Sequence, residues 1–79
     1  MTETGSVFHI EVTGEINTSI INFMDDFDFV LDNEKGENTF IGWLPDQTAL
    51  LGLLSGLTNL HCEVKYVRNL LEYNQNKYE

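Results

Sequence analysis

Four aspartates, Asp25, Asp26, Asp28 and Asp32, crowd one short stretch of the chain, and several carboxylate oxygens close together are what a hard cation needs. The spacing argues against a metal. A calcium-binding loop of the EF-hand kind takes ligands at alternate positions, a glycine at the sixth and a glutamate at the twelfth, whereas Val30 stands where a ligand belongs. Phe27, Phe29 and Leu31 alternate with the acids, which suits a strand with an apolar side and a solvated acidic side. His9, His61 and Cys62 include good metal-ligand types, but neighbours on a strand point to opposite faces, so His61 and Cys62 do not share one ion. No serine or cysteine sits in a nucleophile motif, and neither G-x-x-x-x-G-K-[ST] nor G-x-G-x-x-G is present. The residues therefore point to no catalytic centre, no metal and no cofactor, and the chain is expected to act without catalysis.

The elements that carry these residues form a small protein. With 79 residues there is room for one domain over 1–79, with 1–6 and about 74–79 expected to fray. A chain of this size buries only about 60% of the surface its unfolded form exposes, so its stability margin is thin. One cysteine rules out an internal disulfide, which leaves self-association as the common remaining device. The composition, 42% hydrophobic and 11% aromatic, is that of a folded protein. No basic stretch leads into an apolar run and no apolar segment approaches the roughly 18 residues of a spanning helix, so a cytoplasmic protein is expected.

The formal charge of −9 is unevenly placed. Residues 1–46 hold ten acids against Lys35 alone, while Glu63, Glu72 and Glu79 balance Lys65, Arg68 and Lys77 in the remainder. Such a field disfavours nucleic acid and anionic membranes and suits basic protein partners or plain solubility.

Along the chain, Phe8, Ile10 and Val12 alternate with His9, Glu11 and Thr13 and predict a half-buried strand up to Gly14. Asn17 or Thr18 caps a short helix carrying Ile20, Ile21, Phe23 and Met24. Alternation from Asp26 to Asp32, a turn at 33–36 and a β-rich run from Thr39 to Leu44 predict a hairpin. Leu50, Leu53, Leu54 and Leu57 recur at spacings of three and four, an amphipathic helix with Asp46 as its cap; Gly52 and Gly56 are expected to let that helix approach the sheet closely. A last strand alternates Leu60, Cys62, Val64 and Tyr66 with His61, Glu63, Lys65 and Val67. The order β, α, β, β, α, β predicts an α+β, ferredoxin-like fold: a four-stranded antiparallel sheet with both helices on one face.

The run Leu44-Pro45-Asp46-Gln47-Thr48-Ala49-Leu50-Leu51-Gly52-Leu53-Leu54 resembles the L-P-D-Q-x-A-L-x-G-x-L signature of small uncharacterised bacterial proteins, which also share an opening strand ending in a Gly-Glu turn, here Gly14-Glu15. The resemblance implies a bacterial cytoplasmic setting and no settled activity. Members often carry histidine where this chain has Leu51, so no catalytic histidine transfers.

With both helices on one side, Val30, Ile41, Trp43 and Val67 are expected on the uncovered side of the sheet, and Leu51 projects from the leucine stripe. These five residues form the expected interface, and Asp25, Asp26, Asp28 and Asp32 form the expected acidic patch. Three readings follow. The first is a non-catalytic interaction or accessory module, self-associating as a homodimer or small homo-oligomer. The second is an acidic mimic of nucleic acid that occupies a basic protein. The third is a small-molecule sensor of the ACT type, on fold analogy alone.

Overall fold

The alternation around Ile10 does produce a strand, β1 (Ser6–Val12), in which Ile10 and Val12 are buried. In the computed structural model, which describes residues 5–32, 34 and 38–70, β1 is followed by α1 (Thr18–Asp26), β2 (Val30–Leu31), β3 (Thr39–Leu44), α2 (Gln47–Asn59) and β4 (Val64–Asn69). The strands form one antiparallel sheet in the order β2-β3-β1-β4, with β1 and β3 central. This is the α+β, ferredoxin-like βαββαβ arrangement. Ser6, expected to fray, is paired with Leu44; residues 1–4 and 71–79 lie outside those described.

One apolar cluster joins both helices to one face of the sheet: Ile20 and Met24 of α1, Leu53 and Leu57 of α2, and Ile10, Val12, Phe40 and Leu44 of the central strands. Asn17 caps α1, its side chain accepting from the Ile20 amide at 2.9 Å. Asp46 caps α2 in the same way, accepting from the Ala49 amide at 2.8 Å, as the sequence leads one to expect.

Both helices end in a Schellman turn, a feature that moves the first strand of the hairpin. In α1 the Asp28 amide donates to the Asp25 carbonyl and the Phe29 amide to the Met24 carbonyl, with Asp28 in the left-handed region at φ 63°. In α2 the His61 amide donates to Thr58 and the Cys62 amide to Leu57, with His61 at φ 61°. Such turns bring the residue after the left-handed position back onto the helix, which here buries Phe29 and Cys62. The acid–aromatic alternation from Asp26 to Asp32 is therefore not a strand throughout. Phe23 and Phe27, a helical turn apart, meet edge to face at 5.2 Å between centroids, and a short window fits both a period of two and one of 3.6. Only Val30 and Leu31 remain as β2.

On the helix-covered side, two glycines make room for aromatic rings. A side chain at Gly42 would collide with Phe29, and one at Gly56 with Phe23. Gly56 thus serves the contact between helices and not an approach to the sheet. Gly52 is exposed with open space around it, and nothing in the fold explains its presence.

The last strand departs from simple alternation. Glu11 pairs with Tyr66 but Val12 pairs with Val64, so a β-bulge leaves Lys65 over. An extra residue on one strand reverses the sidedness of everything beyond it. Val64 faces the core as expected, but beyond the bulge it is Val67 that packs on the cluster, while Tyr66 turns to the other face.

Candidate functional site

Both described helices lie on the same side of the sheet, and the opposite side is built from register-matched rows. Val7 stands opposite Trp43 in the first. The second runs Arg68, His9, Ile41, Val30 across all four strands, and the third runs Tyr66, Glu11, Thr39. Asp32 extends the third row, its amide donating to the Thr39 carbonyl at 2.6 Å. Val30 is 58% exposed, Trp43 50% and Tyr66 39%, Ile41 and Val7 are partly buried, and His9 and Thr39 in the middle are buried. The Trp43 indole lies against Gly5, where any Cβ would collide with the ring.

Charge is segregated across the molecule. Lys65 and Arg68 are the cations among the described residues, and both belong to β4. Lys65 Nζ lies 3.5 Å from Glu11 Oε2, and the Arg68 guanidinium stands 5.5 Å from the centre of the Tyr66 ring, a cation–π arrangement. Against them on the same face stand the carboxylates of Glu11 and Asp32, so formal charges there cancel. Glu15, Asp25, Asp26, Asp28, Glu34, Asp46 and Glu63 are carried by loops and helix ends, with no described cation among them.

His9 and Asp32 form the most buried polar contact of this face. His9 Nε2 is 3.0 Å from Asp32 Oδ2, with side chains 7% and 15% exposed. The approach is close but out of line, so Nε2 makes no aligned hydrogen bond. A contact of this kind spans β3, tying the residue after β2 to the central strand β1, and β2 itself holds the sheet through only two paired residues.

The structure gathers Val30, Ile41 and Trp43 on this open face, and it separates the other expected contact residues from them. Val67 lies on the helix-covered side because of the bulge. Leu51 is 59% exposed, but on α2, across the sheet from Trp43, so one contact surface cannot contain both. The acidic patch also divides. Asp25 and Asp26 end α1, Asp28 takes the left-handed position beyond it, and Asp32 is on the open face beside His9. Tyr66, Arg68 and His9 also belong to this surface, although the sequence reading did not assign them to the interface. Period-two alternation from Val7 already placed His9 opposite the core-facing residues, whereas Tyr66 and Arg68 depend on a bulge that no residue type announces.

A second feature is an open depression of about 480 Å³ where α2 meets β4, lined by Leu54, Thr58, His61, Cys62, Glu63 and Val64. Cys62 is buried, and burial raises its thiol above the ordinary value of 9.0, so near neutrality it is a protonated, poorly nucleophilic group. No cluster of three or more His, Cys, Asp or Glu side chains among the described residues is placed to hold a metal ion. No described helix is long and apolar enough to cross a membrane.

A family model described as a domain of unknown function, DUF8691, matches residues 7–68. That span runs from the second residue of β1 to the penultimate residue of β4 and so includes both helices and the whole open face. No curated protein and no solved structure matches the chain.

Proposed function

The chain belongs to the DUF8691 family, whose function is unknown, and from that premise we propose that it is a non-catalytic interaction module that self-associates through the open face of its sheet. The observation that carries this reading is the charge segregation. On a chain of net charge −9, the open face is the region where both described cations neutralise the local acids, and it is also where Val30, Trp43 and Tyr66 are exposed. Two copies repel wherever their acidic surfaces meet, and they approach at least cost through a neutral surface. Tryptophan, tyrosine and arginine are also the residue types that dominate the energetics of protein contacts. The module is placed in the cytoplasm, where a lone thiol stays reduced, and the acidic remainder of its surface suits a basic protein as a further partner.

Sedimentation over a range of concentrations, in low salt and in about 0.5 M salt where screening reaches within a few ångströms, tests this. The expected result is a concentration-dependent dimer, strengthened by salt because the long-range repulsion between acidic copies is screened, and weakened by Trp43→Ser. A monomer at every concentration, or a dimer indifferent to Trp43→Ser, overturns the proposal.

A further inference from the structure

From the positions of the charges on the open face we infer that its partner is a second copy of this chain, stacked face to face about a two-fold axis that runs parallel to the strands, so that the β4 edge of each copy lies over the β2 edge of the other. This inference rests on the open face being the contact, and it adds which of two symmetric arrangements forms.

The strand order β2-β3-β1-β4 puts Lys65 and Arg68 at one edge of the face and Asp32, beside Thr39, near the opposite edge. Two stacked sheets related by a two-fold axis in the plane between them have two aligned choices. An axis across the strands lays β4 over its own copy and β2 over its own copy. The edge that carries Lys65 and Arg68 then faces the same edge of the other chain, the edge that holds Asp32 likewise faces its own copy, and closing the contact opposes like charges at both edges.

An axis along the strands exchanges the edges instead. Rows keep their level but reverse their order, so the row Arg68, His9, Ile41, Val30 sets Arg68 over Val30 of the other copy. The row ending in Asp32 sets that carboxylate opposite Tyr66 and Lys65, and the half-exposed Trp43 lies over Val7. An isologous contact needs a surface complementary to itself, and only this axis meets the need, because the cationic edge and the edge holding Asp32 are exchanged by it. The acids at the end of α1 remain on the far side of each copy, away from the contact.

Cross-linking in a Cys62→Ala background, which removes the native thiol, tests the arrangement. Val30→Cys and Arg68→Cys are made as separate variants, each is checked by sedimentation, and each is treated alone and as an equal mixture with a short, flexible bismaleimide. Such a reagent is needed because stacked sheets lie about 10 Å apart, beyond the Cα separation of a disulfide. The expected result is a linked dimer in the mixture and none from either variant alone. Self-linking of Arg68→Cys overturns the proposed axis while leaving the open face as the contact. A dimer in sedimentation that links in no sample overturns both the axis and the face. A monomer throughout overturns both as well.

Discussion

Replacing Asp28 by glycine should make the protein more stable by about 1 kcal/mol, an estimate that combines three terms. Asp28 holds φ at 63°, a conformation that costs an L-residue on the order of 1–2 kcal/mol, with aspartate near the low end. Its carboxylate follows Asp25 and Asp26 at the C-terminal end of α1, where no basic residue stands in the last turn, and a negative charge at that pole of the helix dipole costs about 0.3–1 kcal/mol. Glycine gives back roughly 0.5–1 kcal/mol through the greater freedom of the unfolded chain. The balance corresponds to a rise of about 4–8 °C in Tm for a chain of this size. Thermal and urea melts followed by far-ultraviolet circular dichroism would measure it, at one fixed protein concentration because association shifts apparent stability. Two variants separate the causes: Asp28→Asn removes the charge and keeps the backbone, and His61→Gly relieves the matching position of α2, where no run of acids precedes it. If Asp28→Gly is no more stable than Asp28→Asn, and His61→Gly changes nothing, the left-handed strain assigned to both turns is refuted.

Leu53 is completely buried whereas its neighbour Leu54 is only partly so; Leu53→Ala should cost about 2–5 kcal/mol in urea melts and Leu54→Ala clearly less, and equal effects would place the helix face wrongly. Gly42→Ala puts a methyl group into the Phe29 ring and should destabilise by roughly 1–3 kcal/mol through overpacking, an effect that a second change, Phe29→Leu, should reduce; an unchanged midpoint for Gly42→Ala would mean that Phe29 does not pack there. Burial raises the Cys62 thiol above 9.0, so the unfolded chain ionises first as pH rises and stability should fall above about pH 9 relative to Cys62→Ala. Parallel stability–pH curves for the two proteins would contradict that burial.

Much of this architecture was legible in local pattern. Alternation from Phe8 to Val12, the leucine spacing after Asp46 and the capping chemistry of Asn17 and Asp46 act over a few residues, where side-chain type and backbone preference coincide. From these the element order and the α+β sheet with helices on one face follow. The tertiary structure decided what depends on the register between distant segments. The bulge opposite Glu11 and Val12 exchanged the sides of Tyr66 and Val67, because a period of two has no memory across an inserted residue. The turn at Asp28 converted the first part of an apparent strand into a helix end, because the Asp28 and Phe29 amides bond back to the Asp25 and Met24 carbonyls of α1 instead of to a neighbouring strand. Asp32 came to stand beside His9 because strand order brings together residues more than twenty positions apart, and Lys65 and Arg68, three apart on β4, share a face because the bulge falls at Lys65. The sequence alone determined that this is an acidic chain with a thin stability margin; which of its faces is neutral is a property of the assembled sheet, because charges separated along the chain cancel only where folding sets them side by side.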